Sequence, residues 1–409
     1  MSGFANNCNF VFLRDSLMKV ISILGSTGSI GQSTLDVIDL NKNKFKIFGL
    51  SCFENLQILF EQCKKFNPNY AVCKNEKDAD ELISLLRNSS INTEVIFGHK
   101  GYSFIASTPS VTHVVASISG SSGLHSTFEA AKKGKNILLA NKESMVMAGS
   151  LLLKEVTKNG GQIIPVDSEH NAIFQILNQN DTSHQNIKRI ILTASGGPFL
   201  NYDKDLLKGV TVSEALNHPN WIMGKKITID SATMMNKVLE LIEAHYLFNL
   251  SKEKLDVIIH PESIIHSMVE YIDGSIIAQM GYPDMNIPIS YCLAYPEKRI
   301  MSGLNGLDFS QVKSLNFLKP NFEIFPCLKL AHEIIGKDQF YSIVMNAANE
   351  CAVNNFLKLK IKFTQIYEVI CSILNSQKIR NFDSVEDIIE INNEVLIYTQ
   401  EFINKKILK

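Results

Sequence analysis

At 409 residues, with 45% hydrophobic and 20% charged side chains, the chain has an ordinary soluble globular composition and the length for two or three domains. A formal net charge of −1 argues against a nucleic-acid or membrane-surface binder, so any basic site must be local. The eight cysteines are dispersed with no C-x-x-C pair and read as buried small hydrophobes in a reducing, cytoplasmic compartment, and no apolar run approaches the ~18 residues of a membrane span.

Residues 1–17 are too poor in basic and small residues for a secretory signal; a disordered extension is expected there, with Met18 as the functional start. From 18 to 166 the pattern predicts a Rossmann-like α/β unit. Short β-branched runs at 19–25, 45–51, 70–74, 93–97, 113–118 and 136–140 alternate with helical spacing at 29–40, 55–66, 77–87 and 124–133. That rhythm is one of parallel βαβ units in a doubly wound sheet, with ligands at its carboxyl edge. A further helix over 143–158 ends at Asn159-Gly160-Gly161, a left-handed cap. Residues 167–310 mix strands (187–194, 255–260, 265–272, 275–280) with a helix over 235–248, which predicts an α+β domain. Helical spacing at 327–335, 342–357, 363–376 and 384–405 predicts a C-terminal four-helix bundle within 325–409.

Along this frame the chemistry-bearing motifs follow the ends of strands. Gly25-Ser26-Thr27-Gly28-Ser29-Ile30-Gly31 sits between the first strand and its helix, the setting of a pyrophosphate cradle. The second strand ends Leu50-Ser51-Cys52, without the acid that would take the ribose 2′-hydroxyl of NAD; Glu54 lies further along and no Arg replaces it. Asn141-Lys142-Glu143 follows another strand: Asn141 suits a helix cap, and Lys142 suits a substrate oxygen.

After the apolar run 162–166 comes Asp167-Ser168-Glu169. On a strand end Asp167 and Glu169 would share a face, with Cα atoms roughly 6.5–7 Å apart, close enough to converge on a hard cation such as Mg²⁺. Two solvated surface acids satisfy the same triplet. Thr193-Ala194-Ser195-Gly196-Gly197-Pro198 reads as an anion nest or as an ordinary turn. The loop His218-Pro219-Asn220-Trp221-Ile222-Met223-Gly224 holds the single tryptophan, as a lid or as an anchor. In Asp230–Glu240 a helix from about Thr233 would place Asn236, Lys237 and Glu240 on one face, to bind phosphate and metal or merely to form a solvated pair. His260 and His266 read as satisfied core histidines.

Taken in order, LGSTGSIGQSTLDV, LLANKES, PVDSEHNAIFQ, GGPF, HPNWIMGKKI, DSATMMNKVLELIEA and IHPESIIHSMVEYIDGS resemble the 1-deoxy-D-xylulose 5-phosphate reductoisomerases, with PCLKLA at 326–331 and NAANE at 346–350 extending the match. The resemblance implies an NADPH-binding domain, a catalytic domain with a mobile loop and a helical bundle, assembled as a homodimer. It implies conversion of 1-deoxy-D-xylulose 5-phosphate to 2-C-methyl-D-erythritol 4-phosphate in non-mevalonate isoprenoid synthesis. Asp167, Glu169 and Glu240 would then bind Mg²⁺ or Mn²⁺. Lys142 and Ser168 would meet the sugar, and Ser195, His218, Ser231, Asn236 and Lys237 the phosphate end. Thr27, Gly28, Ser29, Ile30, Asn55, Asn141, Glu143 and Gly224 would meet NADPH, with Lys142, Glu169, His218 and Lys237 in catalytic roles. Where many members carry a Gly-Lys-Asn-like triplet after the second strand, this chain has Phe53-Glu54-Asn55, which predicts a weakened preference for NADPH over NADH. A non-redox sugar-phosphate isomerase and a non-catalytic NADP sensor are competing readings; a sensor has no need of three converging acids.

Overall fold

Alternating strands and helices between Lys19 and Pro165 build a seven-stranded parallel sheet in the computed structural model, which describes residues 18–177, 184–221 and 223–407. The extension expected at 1–17 lies outside the described residues. In chain order the elements are β1 (Lys19–Leu24), α1 (Ser29–Leu40), β2 (Phe45–Ser51), α2 (Leu56–Phe66), β3 (Tyr70–Cys73), α3 (Glu76–Asn88), β4 (Glu94–Phe97), α4 (Gly98–Ser107), β5 (His113–Ala116), α5 (Leu124–Lys132), β6 (Asn136–Leu139), α6 (Lys142–Lys158) and β7 (Gln162–Pro165). Strand order is β4-β3-β2-β1-β5-β6-β7, so the order reverses beside β1. A crevice opens at such a reversal, outside the carboxyl ends of β1 and β5, and ligands of open α/β sheets bind there. Ile21 and Ile23 of β1 are fully buried, each burial stabilising by roughly 1.5–3 kcal/mol.

The second half consists of α7 (Ser168–Ile176), β8 (Ile187–Ala194), α8 (Val212–Leu216), α9 (Lys225–Ala232), α10 (Met235–Phe248), β9 (Leu255–Ile259), β10 (Ile265–Tyr271), β11 (Ile276–Met280) and α11 (Asn286–Ala294), followed by α12 (Leu328–Ile334), α13 (Phe340–Leu357), α14 (Gln365–Ser376) and α15 (Val385–Phe402). Its four strands form a mixed sheet of order β11-β10-β8-β9, with β8 and β9 parallel and the other pairs antiparallel. Helix α7 packs on β10 and β11, while α10 packs on α6 and on β9. Lys19, at the start of β1, donates to the carbonyls of Leu293, Ala294 and Tyr295 at 2.9, 3.0 and 2.8 Å. A cation there satisfies the orphan acceptors at the end of α11 and fastens that helix to the parallel sheet.

Two expectations change. Asp167 and Glu169 do not alternate on a strand: β7 ends at Pro165, and α7 begins at Ser168 with Asp167 as its N-cap. The apolar run is a buried edge strand whose turn into a helix was hidden by the acids' apparent two-residue spacing. The helix expected over 235–248 forms with those bounds, whereas the start near Thr233 considered for the Asp230–Glu240 motif does not hold, because Thr233 closes α9 and Met234 turns the chain with φ 60°. The helical C-terminal region expected from 325 onward is present as α12 to α15, and it is joined to the rest of the molecule. α13 packs on α14, α15 and α6, whereas α12 packs on α10, so the buried faces of these helices close over the rest of the molecule. Helices α4, α7 and α11 lie outside the helical patterns expected from the sequence.

Candidate active site

The turn after β1 is shaped by its own backbone. Gly25 has φ 82°, and a Cβ there would come 3.0 Å from the carbonyl oxygen of Ser117; a Cβ on Gly31 would lie 2.4 Å from the Cα of Ser26. Both glycines are therefore demanded by the fold. Gly28 is different: a Cβ on it would meet only the Gly25 carbonyl oxygen, at 3.5 Å, so its bare face is left for something outside the chain. It stands at the N-cap of α1, whose first amides lack partners within the helix.

Across the crevice three helix starts converge, those of α6, α7 and α10. Lys142, the first residue of α6, sets its ammonium 2.6 Å from Asp167 Oδ2, 3.1 Å from Glu240 Oε1 and 2.8 Å from Asn236 Oδ1. Lys237 in the first turn of α10 donates to Glu169 Oε1 at 2.8 Å, to the Thr193 carbonyl at 2.5 Å and to Glu240 Oε2. Asn236 also donates to Glu240, and Ser168 Oγ to Glu169 Oε2 at 2.6 Å. Glu240 is completely buried, yet takes three donors. Burial opposes the charge on both lysines, but the surrounding carboxylates outweigh it, so Lys142 is held well above its ordinary pKa and Lys237 is raised too. Burial likewise opposes ionisation of Asp167, and Lys142 with His170 overcomes it, driving that carboxyl far below its usual range. Glu240 is pushed up by burial and by Glu169.

Oxygens of Asp167, Glu169 and Glu240 lie within 4.8 Å of one another. Their donors are hard carboxylate oxygens, two from the start of α7 and one from α10, the kind Mg²⁺ takes at about 2.0–2.1 Å. The set fits a divalent cation, which would take over the neutralisation that the two ammonium groups now provide. Asp167, His170 and Glu243 form a second set of the same compactness. His170 and Glu243 are fully buried, and His170 lies 3.3 Å from Glu243 Oε2, 3.6 Å from Asp167 Oδ2 and 2.8 Å from the Glu240 carbonyl. Neither reaches the cavity wall, so the pair backs Asp167 from behind. Sequence reasoning missed both, although each stands three residues after a predicted ligand on the same helix face.

The neighbouring subsite is built on Ser195 and His218. His218 Nδ1 accepts from the amides of Asn220 and Trp221 at 3.2 and 3.0 Å. Its proton therefore sits on Nε2, which donates to Ser195 Oγ at 3.1 Å. Burial lowers its pKa, in keeping with a neutral ring. Asn220 ties the loop down through the Pro261 carbonyl at 2.7 Å and Ser263 Oγ at 2.8 Å. Trp221 is half-buried on the cavity wall, its ring 6.5 Å from that of His266. His260 is satisfied as expected, with Nδ1 on the Asn316 carbonyl at 2.9 Å and Nε2 accepting from Ile264. His266 lines the cavity.

One cavity of about 420 Å³ joins these parts. Its wall includes Ser29 and Ile30 of α1, the carboxylate and lysine cluster, Ser195, His218, Trp221, Gly224, Ser231 and Asn236. Thr27, Gly28, Asn55, Asn141 and Glu143 are not in that wall. Asn141 is spent on structure: its Oδ1 accepts from the Ser144 amide at 2.8 Å, capping α6, and its Nδ2 holds the Ile118 and Gly120 carbonyls. Glu143 is gripped by Lys226 at 2.6 Å. Asn55 precedes α2 in the exposed loop after β2, where Lys74 from the end of β3 lies 4.0 Å from the Phe53 ring centre.

A nucleotide cradle that opens onto the same cavity as an oxygen-donor cluster is the arrangement of an NADP-dependent oxidoreductase assisted by a metal. The matches with known proteins narrow the class. Residues 21–149 match the 1-deoxy-D-xylulose 5-phosphate reductoisomerase profile, 163–248 that family's C-terminal domain and 280–397 the DXP reductoisomerase C-terminal domain. The chain is 48% identical over 375 residues to the 1-deoxy-D-xylulose 5-phosphate reductoisomerase of Nitrosomonas eutropha, covering 91% of each. It is 46% identical over 394 residues to that of Proteus mirabilis, covering 94% of this chain and 99% of the relative. A crystal structure of DOX-P reductoisomerase with NADPH, fosmidomycin and magnesium superposes with a TM-score of 0.91 at 42% identity, covering 94% of this chain and 98% of the other. The Zymomonas mobilis enzyme with NADPH gives 0.88 at 40%, covering 95% and 100%. The chain belongs to the 1-deoxy-D-xylulose 5-phosphate reductoisomerase family.

Proposed function

We propose that this protein converts 1-deoxy-D-xylulose 5-phosphate to 2-C-methyl-D-erythritol 4-phosphate with NADPH and Mg²⁺ or Mn²⁺, in the non-mevalonate route to isoprenoid precursors. The observation that carries this reading is the single cavity shared by the start of α1 and the Asp167, Glu169 and Glu240 cluster. When bound at those three carboxylates, the metal supplies Lewis-acid polarisation of the substrate's carbonyl and hydroxyl oxygens. NADPH, with its phosphates against Thr27, Gly28, Ser29 and Ile30, supplies the hydride. The protein's own side chains bind and orient. Lys142 and Ser168 face the sugar oxygens, and Lys142 carries a positive charge toward an alkoxide developing beside it. Ser195, His218, Ser231, Asn236 and Lys237 hold the phosphate end, His218 through the proton on its Nε2. Asn55, Asn141, Glu143 and Gly224 border the cofactor. Trp221 and its loop cover the cavity and exclude water while the carbon skeleton rearranges.

A homodimer fits the same reading: β11 is an open sheet edge, and Ile272, Ile276 and Ile277 beside it are exposed by 70, 54 and 48%. Seven described cysteines are all free, which suits a reducing, cytoplasmic setting, and no helix among the described residues is long and apolar enough to cross a membrane. The test is a direct assay. Absorbance at the reduced nicotinamide band should fall when 1-deoxy-D-xylulose 5-phosphate is added with NADPH and Mg²⁺, and should stay level without metal; no loss in the complete mixture would sink the proposal.

A further inference from the structure

Behind the cofactor side of the cavity runs a second buried polar chain, in which only Glu143, proposed above to border the cofactor, has a role so far. Lys226, in the first turn of α9, lies 2.6 Å from Glu143 Oε1 on α6 and 2.9 Å from Asp230 Oδ2 one turn further along its own helix. Asp230 Oδ1 in turn accepts from Asn349 Nδ2 on α13 at 2.8 Å. Glu143, Asp230 and Asn349 are 6, 1 and 0% exposed. Burial opposes the ammonium of Lys226, but Asp230 and Glu143 outweigh it and hold it charged; burial opposes ionisation of Glu143 as well, and Lys226 overcomes that. Next to Asn349, Glu350 points at the loop after β5, where a Cβ on Gly120 would come 3.4 Å from Glu350 Oε1. The Gly120 carbonyl is held from its other side by Asn141 at 2.9 Å.

The chain of contacts links three parts that must be in register for a hydride to cross the cavity. Gly224, the residue that ends the Trp221 loop, is the N-cap of α9, two residues before Lys226. Glu143 is the second residue of α6, directly after Lys142 of the carboxylate cluster. Asn349 belongs to α13, which packs on both α6 and α9. A lone cation between two buried carboxylates on different helices fixes their separation more firmly than apolar packing, since moving either carboxylate away leaves a buried charge unpaired. Sequence comparison points to NAANE at 346–350 only as part of a resemblance; in the fold its last two residues reach both the Lys226 pair and the β5 loop.

We infer that Lys226 is a positioning residue: through Glu143 on one side and Asp230 with Asn349 on the other, it locks the end of the Trp221 loop to the first turn of α6 and so sets the nicotinamide end of the cofactor pocket. The inference rests on the proposed placement of NADPH beside α6. It assigns Lys226 no contact with substrate, metal or the reacting atoms.

Lys226→Met should lower kcat/KM for NADPH by roughly 10–100-fold, the scale of a misplaced reacting group. The KM for 1-deoxy-D-xylulose 5-phosphate and the Mg²⁺ concentration for half-maximal rate should stay within about twofold, and Lys226→Arg should recover most of the loss. Because Lys226→Met leaves two acids unpaired, Asn349→Ala supplies a gentler variant that keeps the ion pairs; it should move the NADPH KM in the same direction by a few-fold. Glu143→Gln is measured alone and with Lys226→Met. If Lys226 acts through Glu143, the second substitution should add less than about twofold to the first. Folded Lys226→Met protein with a wild-type NADPH KM, or with both substrate constants rising together, would overturn the positioning role. A Glu143→Gln enzyme with unchanged NADPH KM would instead overturn the cofactor placement beneath it, and the two failures are told apart by that single variant.

Discussion

Where α6, α7 and α10 begin, both lysines touch two acids each, and Glu240 has no exposed surface. Where β2 ends, Phe53 is 52% exposed, Glu54 and Asn55 are exposed as well, and the nearby cation, Lys74, rests on the Phe53 aromatic face. The first region holds unlike charges out of water, at a dielectric where one pair about 4 Å apart is worth roughly 4 kcal/mol. The second lies in a screened, wet environment, where a charge would change the affinity of the proposed cofactor by fractions of that. Substitutions at the cluster should therefore act almost as on–off switches, and those at the β2 loop as graded adjustments.

Glu240→Gln tests the switch most directly. The amide keeps the shape but removes a negative charge shared by Lys142 and Lys237, and on the proposed reading by the metal, and places an N–H₂ group among donors. Loss of several kcal/mol there corresponds to a fall in kcat/KM on the order of 10³ or more. Activity within tenfold of wild type at limiting Mg²⁺ would break the contrast, because a completely buried acid would then be behaving like a surface one.

The support behind Asp167 sharpens it. His170→Asn should weaken Mg²⁺ dependence by about 10–100-fold, the usual cost of losing a group that orients a ligand. It should also flatten a pH dependence of stability. Burial works against the His170 charge, but Glu243 and Asp167 prevail and hold its pKa at about 9, while burial lifts Glu243 to about 7 against the pull of His170. Both folded values lie above their ordinary ones, so each group contributes stability at low pH that is lost as pH rises. For His170 the contribution is complete below about 6.5 and gone above about 9, a span worth on the order of 3 kcal/mol. Urea unfolding of metal-free protein between pH 6.5 and 9.5 checks this: wild type should lose stability across the window, and His170→Asn should lose much less.

Sequence reading captured these regions unequally, and the reason is geometric. Strand ends followed by Gly25–Gly31 or Asn141–Glu143 are local patterns, and the parallel sheet placed both at one edge. The acids were legible as residue types, but their two-residue spacing after an apolar run matches strand alternation, whereas Asp167 is the N-cap of a short helix and Glu169 lies in its first turn. What stayed illegible was long-range: His170 against Glu243, Lys226 against Glu143, and Lys74 across from Phe53 pair segments 73, 83 and 21 residues apart, with no periodicity that one element alone displays. The last four helices were legible as helices but not in their partners. Their apolar spacing reports that a face is buried, not which helix buries it, and α12 chose α10.

Between the two extremes stands the Trp221 loop, half-buried and anchored by Asn220 on Pro261 and Ser263. Closing over the cavity should change the surroundings of the only tryptophan, so fluorescence should shift when NADPH and a phosphonate substrate analogue are added. Trp221→Ala should lower kcat/KM by roughly tenfold without lowering the unfolding temperature by more than a few degrees. A silent fluorophore together with full activity would leave the ring as an anchor only.

The smallest effects belong to the β2 loop and concern the choice between NADPH and NADH. No acid stands at the strand end to take a ribose 2′-hydroxyl, which permits a 2′-phosphate, while Glu54 places a negative charge nearby. Lys74 adds what the sequence of that loop lacks, a cation 4.0 Å from the Phe53 ring and so beside the same loop. Being solvent-exposed, each charge should shift the preference by less than about 1.4 kcal/mol, that is, by less than tenfold. Glu54→Lys should widen the NADPH to NADH ratio of kcat/KM by a few-fold, and Lys74→Met should narrow it by a similar factor, both mainly through the KM for NADPH. Raising the salt concentration should shrink either change, as expected for exposed charges within a Debye length of the ligand. Ratios equal to wild type in both variants would mean that neither charge faces the phosphate; a change far above tenfold would mean that this loop closes around the cofactor and is as desolvated as the cluster it has been contrasted with.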